Sequence, residues 1–292
     1  MTYDDQLRDE AALWGAVDEA HAATLAPDWN AHRHMLHNAL VHTPDIDALI
    51  AAVQPGMQVL ELGCASGWLT LACARQGAHV TGLDISERSL QIARDYAVQF
   101  PELAARLTYR TADLNALELP AATYDIIYTK GTLHHLIGLD RLIEQVAQAL
   151  KPNGLFWISD QDGNESLLTS LTAGGLMFIL PTHIPYAEKW RGLLRFGVNA
   201  PARIRASMEA EGLSPFEGAG RDHDWLKLVH THFTVEREVR KPAVTGYLAH
   251  QVKLPYAAAL RVLGAVRAVD GLLVRAKLLK STGVVVWARK TF

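Results

Sequence analysis

Residues Val59–Leu69 read V-L-E-L-G-C-A-S-G-W-L. A short apolar run ends in Gly63, a tight turn runs to Gly67, and a helical pattern begins. Glycines let a backbone approach a ligand closely, and the free amides at a helix start attract negative charge. The spacing is Gly-x-x-x-Gly rather than the dinucleotide pattern G-x-G-x-x-G, whose second glycine would fall on Ala65. An acid, Glu61, stands two residues before Gly63.

The pattern repeats outward from that turn. Upstream, Thr43-Pro44 fits a helix start, with Thr43 as cap and Pro44 as first helical residue. That helix carries Ile46, Leu49, Ile50 and Val53 and stops at Pro55-Gly56. Downstream, the spacing predicts a helix over 66–76, a strand over 79–84 and a helix over 86–100 capped by Ser86. Strands follow over 107–113, 124–130 and 155–160, with a helix over 139–150 before the last. Strands alternating with helices predict a parallel sheet covered on both faces, hence a doubly wound α/β fold.

The flanks differ from this core. Residues 4–54 read as helices, with Leu7, Ala11 and Trp14 at helical spacing beside Leu13 and Val17. After Asp160 the rhythm breaks: residues 161–220 are rich in Gly and Pro and read as an inserted helical cap. A helix over 222–232, strands over 234–241 and 283–290, and two helices within 245–280 follow. The expected organisation is therefore a helical segment 1–54 closing over the site, a core 55–160, a cap 161–220, and sheet completion over 221–292 with a helical insertion at 245–280.

Composition narrows the function. The chain has 292 residues, 49% hydrophobic and 20% charged, with a net charge of −3; that is ordinary for a globular protein and unlike a basic nucleic-acid binder. Residues 1–50 carry nine acids and two bases, and residues 234–292 eleven bases and three acids. We read the two ends as solvated surfaces of opposite sign. Cys64 and Cys73 are the two cysteines, and their spacing suits neither a disulfide framework nor a zinc site. The acidic start lacks an apolar signal core, and the apolar stretch 257–279 is interrupted by Arg261, Arg267, Asp270 and Arg275. No integral membrane association and a cytoplasmic location are expected.

Polar groups end successive strands. Asp84 closes the second, where an acid can accept both hydroxyls of a ribose. Asp113 closes the third, where a carboxylate and the next amide could read an adenine edge. Such an ordered set places one ligand across the carboxyl edge of the sheet.

The run ELGCASG, VTGLD, ADL, YDIIYTKGTLHHL and LKPNGLFWISD resembles the class I S-adenosylmethionine-dependent methyltransferases. The likeness is specific over residues 55–160 and looser over 220–241 and 283–290. It implies a mostly parallel seven-stranded sheet with one antiparallel strand, and S-adenosyl-L-methionine as cofactor. It places Gly63, Cys64, Ala65 and Gly67 near the methionine part, with Glu61 and Trp68 framing that turn. It places Asp84 on the ribose, Ile85 against the adenine, and Asp113 and Leu114 on the adenine edge. Lys130 and Gly131 line the methyl-donor side. Many members carry Gly-x-Gly-x-Gly where this chain has Cys64-Ala65-Ser66; small residues still fit, and Cys64 reads as a turn residue rather than a nucleophile.

His134 and His135 follow the fourth strand, where an acceptor approaches; they are the candidate catalytic residues, against a role in orienting the loop. Trp29 and Arg33, and in the cap His183, Tyr186 and Trp190, are the candidate substrate-binding residues. His32, His34 and His37 lack the Cys or carboxylate partners of a metal shell, so no metal is expected. The expected partner is a small or medium-sized organic acceptor, in secondary-metabolite or cell-surface biosynthesis, and a homodimer is compatible with the sequence. No aromatic–basic stripe and no N-P-P-Y-type tetrad after the fourth strand marks nucleic acid. Two alternatives remain: a nucleotide-dependent oxidoreductase on a similar sheet, and a non-catalytic cofactor-binding partner subunit.

Overall fold

In the computed structural model, which describes residues 2–161, 166–196, 216 and 224–290, the predicted strands line up as one sheet. Strands β1 (Gln58–Leu62), β2 (His79–Asp84), β3 (Leu107–Thr111), β4 (Tyr124–Lys130), β5 (Leu150–Asp160), β6 (Thr234–Arg240) and β7 (Val284–Arg289) lie in the order β3-β2-β1-β4-β5-β7-β6. The first five are mutually parallel, while β7 runs antiparallel to both β5 and β6. The order reverses between β1 and β4, and ligands of such sheets bind in the crevice that opens there.

Helices cover both faces, as the continuous burial along β1, β4 and β5 requires. On one face Val59, Ile126, Tyr128, Leu155 and Trp157 pack against α4 (Thr43–Ala52) and α5 (Trp68–Ala74). On the other, Leu60, Leu62, Ile127, Phe156 and Ile158 pack against α7 (Leu139–Ala149) and a helix at Trp225–His232. Four leucine-sized side chains of α7 at helical spacing, Leu139, Leu142, Ile143 and Val146, are almost fully buried. Each contributes about 1.5–3 kcal/mol relative to exposure.

Of the two helix caps expected from the sequence, Ser86 and Thr43, one forms. The Ser86 hydroxyl accepts from the Ser89 amide at 3.3 Å and caps α6 (Glu87–Ala97). Thr43 is a correction: it is helical, and its hydroxyl donates to the Asn38 carbonyl at 3.0 Å, tying α4 to α3 (Leu36–Val41) instead of capping. The long N-terminal helix α1 (Tyr3–Ala22) begins with a capping box between Thr2 and Asp5 and lies along α6. A four-residue α2 (Trp29–His32) precedes α3.

The remaining helices are α8 (Leu167–Ile179), α9 (Tyr186–Phe196), α10 (Trp225–His232), α11 (Thr245–Gln251) and α12 (Tyr256–Arg275). Helices α3, α8, α11 and α12 share a third apolar cluster around Leu40, Leu248 and Leu263. Asp270 of α12 is buried because it accepts from the amides of Ala243, Val244 and Thr245, each at 2.9 Å, capping α11 from outside. Among the described residues no helix is long and apolar enough to cross a membrane. Of the expected cap at 161–220, residues 162–165, 197–215 and 217–220 lie outside the described residues.

One expectation about charge is overturned. Of the nine acids in residues 1–50, Glu10, Asp18, Asp28 and Asp45 are buried rather than solvated. Two of them, Glu10 and Asp18, face the site described next.

Candidate active site

The turn after β1 is built by backbone conformations that its small residues allow. Gly63 and Gly67 take positive φ of 75° and 74°, and so does Ala65 at 48°. A Cβ on Gly63 would collide with the Thr132 side chain, so only glycine fits there. Ala65 occupies the left-handed conformation at a cost of about 1–2 kcal/mol. Its amide is held in place by the Asp84 carboxylate, Oδ2 accepting at 2.8 Å, while Oδ1 accepts from the Ser86 amide at 2.9 Å. Asp84 thus binds the β1 turn to the β2 turn and keeps lone pairs on both oxygens.

A cavity of about 270 Å³ opens over this edge. Its floor includes Glu61, Gly63, Cys64 and Ala65 from the first turn, then Asp84 and Ile85 from the second. Asp113 and Leu114 close one end, and Lys130, Gly131, Thr132 and His135 line another part. Trp68, opening α5, completes the wall on the β1 side. Every candidate cofactor residue lies here except Gly67. That glycine is a packing position, since a Cβ would meet Ala93 and the Tyr109 ring at 2.8 Å.

The roof is α1, which sequence reading did not resolve to residues. Leu7, Glu10, Trp14, Val17, Asp18 and His21 recur at three- and four-residue spacing and face the cavity. Tyr3 donates to Asp113 Oδ2 at 2.7 Å and pins the helix start across the adenine-edge position. Phe216 stands beside Tyr3, ring centroids 5.9 Å apart. The available signal was the pair of acids, Glu10 and Asp18, interrupting an otherwise apolar stripe.

Electrostatics mark the cavity as acidic. Burial pushes Glu61 up to about 8, although Thr70 and Tyr128 hydroxyls both hydrogen-bond its Oε2. Burial likewise raises Asp84 to about 6, with its two amide bonds opposing and the Asp18 charge adding. Asp18 is itself raised by burial, and its Oδ2 accepts no hydrogen bond. An orphaned buried carboxylate oxygen facing a cavity needs a donor from a ligand. Burial drives the Cys64 thiol far above its usual range, and its sulfur packs over Gly82, so it is no nucleophile.

The two histidines separate. His134 Nδ1 lies 2.6 Å from Asp160 Oδ1, and Asp160 Oδ2 accepts from the Thr132 and Leu133 amides. Burial raises Asp160, but the imidazole and the amides outweigh it and hold the carboxyl below its ordinary range. His134 does not line the cavity; it fixes the loop after β4, a correction to its place among the catalytic candidates. His135 does line the cavity, with Nδ1 3.5 Å from Glu10 Oε1 and its ring edge-on to Trp14 at 5.3 Å. Trp14 donates to the same Glu10 oxygen at 2.7 Å.

The expected substrate residues lie elsewhere. Trp29 is buried behind Trp68, stacked at 5.4 Å and donating to Asp47. Arg33 is paired with Asp47 at 2.6 Å and so does not reach the cavity. Tyr186 donates to the Ile179 carbonyl, Trp190 packs edge-on to Phe178, and His183 is exposed near α11 through the Gln251 carbonyl. These three join α8 and α9 to each other and to α11, not to the cavity. Among the described residues no cluster of three or more His, Cys, Asp or Glu suits a metal.

Comparison with known proteins agrees with this edge. A family model described as a methyltransferase domain matches residues 60–158. The ubiquinone biosynthesis O-methyltransferase of Coxiella burnetii (strain RSA 331 / Henzerling II) is 30% identical over 188 residues, 63% of this chain and 74% of that protein. The protein of the same name from Chelativorans sp. (strain BNC1) is 30% identical over 161 residues, 54% of this chain. The chain spans 59% of that relative's length. The fold matches geranyl diphosphate C-methyltransferase from Streptomyces coelicolor A3(2), solved with Mg2+, geranyl diphosphate and S-adenosyl-L-homocysteine. There the TM-score is 0.51 at 14% identity, covering 85% of this chain and 78% of that one. The chain belongs to the class I S-adenosylmethionine-dependent methyltransferases, and S-adenosylmethionine is its cofactor. The residues fit that group: a glycine at Gly63 where a Cβ would collide, the unpartnered Asp18 Oδ2 and an acidic lining suit an adenosyl cation.

Proposed function

We infer that the chain transfers a methyl group from S-adenosylmethionine to a hydroxyl of a small organic acceptor. When bound, the cofactor supplies a methyl carbon already made electrophilic by its sulfonium. The chain's own work is to bind, align and exclude water, and to take the acceptor's proton. Gly63, Cys64 and Ala65 offer the close backbone approach for the methionine part, with Glu61 beside them. Asp84 and Ile85 serve the ribose and adenine. Asp113 and Leu114 serve the adenine edge once Tyr3 yields its hydrogen bond. Helix α1 covers the cavity and shields it from water, so its fixed charges act more strongly than they would in bulk solvent.

The observation that carries the reading is the Glu10–His135 pair across the cavity. A carboxylate at Nδ1 favours the tautomer that donates there and leaves Nε2 as the proton acceptor. A hydroxyl acceptor needs such a base; an acceptor already unprotonated does not. The naming of the relatives as O-methyltransferases supports oxygen as the methylated atom, and it favours their pathway over secondary-metabolite or cell-surface chemistry. The test is incubation with S-adenosylmethionine and a panel of phenols and aliphatic alcohols, scored by mass spectrometry. O-methyl product with stoichiometric S-adenosylhomocysteine is expected. Cofactor binding without transfer to any hydroxyl, or transfer to amines alone, would overturn the assignment.

A further inference from the structure

The carboxyl ends of β4 and β5 carry a second set of ionisable groups that the donor chemistry leaves unused. Lys130 pairs in register with Ser159, so both side chains stand on the same face of the sheet. Lys241, just past β6, donates from Nζ to Ser159 Oγ at 2.8 Å. Two lysines therefore converge on one strand position, Lys241 through its bond to Ser159 and Lys130 through its register with it, and Lys130 lines the donor cavity. Lys130 Nζ makes no hydrogen bond to any described residue; the Trp68 ring lies 5.7 Å away.

Among the described residues no carboxylate forms an ion pair with either lysine, although the charges of Asp160 and Glu61 act on Lys130 and those of Asp160 and Asp45 on Lys241. Asp160 belongs to the opposite face and is occupied by His134 and the backbone amides. Asp45 of α4 pairs with Arg237 at 3.5 Å, and Glu61 of β1 is bonded to Thr70 and Tyr128. The remaining neighbours are imidazoles. His37 of α3 contacts the Gly246 carbonyl at 3.3 Å and His42 Nε2 at 3.0 Å, and it stacks on His250 of α11 at 4.2 Å. Burial, with His250 and the two lysines adding to it, lowers His37 to about 4, so these rings stay neutral donors. Burial and the charge of Lys130 lower Lys241 to about 7, with Asp160 and Asp45 opposing.

Half-buried lysines without a directly bonded carboxylate favour an anion that enters between them. We propose that the methyl acceptor binds through an oxyanion, a carboxylate or an ionised hydroxyl, held between Lys130 and Lys241 beside the donor cavity. This rests on the methyltransferase reading and names its acceptor class. It also supplies the direction of approach: the oxyanion sits where β4 ends, next to the residues nearest the methyl donor. The incoming negative charge raises the pKa of Lys241, so binding takes up a proton at pH 8 and weakens as pH rises.

The probes are benzoate and benzamide, which share shape and differ in charge. Each is titrated calorimetrically into protein saturated with S-adenosylhomocysteine, at pH 8 in phosphate and in Tris. Benzoate is expected to bind at least tenfold tighter than benzamide, with buffer-dependent heat in the sense of proton uptake. Lys241→Met should lose at least tenfold in benzoate affinity while S-adenosylhomocysteine affinity stays within twofold. Lys241→Arg should retain benzoate with less proton uptake, which guards against misfolding of the methionine variant. Equal binding of the two probes, or wild-type benzoate affinity in Lys241→Met, would overturn the proposal. Failure of the preceding S-adenosylhomocysteine titration would instead undo the methyltransferase reading.

Discussion

Glu61→Gln tests the electrostatic account of the donor cavity at one buried atom group. Burial holds the Glu61 carboxyl at about 8 against an ordinary 4.5. The folded protein therefore keeps a proton that the unfolded chain releases above pH 4.5. Because the folded-state value is raised, this group's contribution to stability is full at low pH and is lost as pH climbs through 8. Unfolding releases nearly one proton from this residue at pH 6 and half a proton at pH 8; at about 1.4 kcal/mol per proton and pH unit this integrates to about 2.3 kcal/mol across the window. Glutamine imitates the protonated acid and can still accept from Thr70 and Tyr128. Urea denaturation at pH 6, 7 and 8 should show wild type losing about 2.3 kcal/mol more than Glu61→Gln over that range. Other titrating groups, Asp84 and Lys241 among them, are common to both proteins and cancel in the difference. The variant should also bind S-adenosylmethionine less tightly, because a cationic ligand favours the ionised acid. Parallel stability–pH curves for the two proteins would refute the claim that Glu61 is held neutral by burial.

Other outcomes follow from single contacts. Asp84→Ala removes the bridge between the Ala65 and Ser86 amides and should weaken cofactor binding by about 1–3 kcal/mol, measured by calorimetry. His135→Ala should leave cofactor affinity nearly unchanged and slow methyl transfer about 10²-fold or more. Glu10→Gln should shift the pH–rate profile of that step, whereas a pure packing role would move only stability. His134→Ala should lower stability by about 1–3 kcal/mol through the exposed Asp160 bond, with the pH profile of transfer unaltered. Leu142→Ala, at a fully packed site on α7, should cost about 2–5 kcal/mol in urea denaturation without changing cofactor affinity.

The core was readable because local and global signals coincide there. A buried parallel strand is an uninterrupted apolar run, and QVLEL, HVTGLD and YDIIYTK are each bounded by turn residues. The cavity lies over the carboxyl ends of the strands, so counting to the end of each run reaches Asp84, Asp113 and Lys130 in its lining. Gly67 misled for a physical reason: a positive φ is required both where a ligand approaches and where a neighbour crowds the backbone, and here the neighbour is Tyr109. His134 and His135 are adjacent in sequence yet divide the labour of one loop. Which imidazole meets Asp160 and which meets Glu10 depends on elements 26 and 125 residues away, beyond any local pattern.

Helix α1 shows where sequence periodicity stops being informative. Its apolar spacing announces a buried face but not the surface it buries against, and here that surface is a cavity instead of a core. Seen as composition, its acids belong to a negatively charged end; in the fold, Glu10 and Asp18 join Glu61, Asp84 and Asp113 around one volume. Five carboxyl groups around a cavity lined on one side by Lys130 favour a cationic ligand over a neutral one. Methyl transfer turns a sulfonium into a thioether and removes that charge. Under the proposed function the acids of the lining attract the charged donor more than the uncharged product, so the acidity of the roof serves both binding before the reaction and release after it.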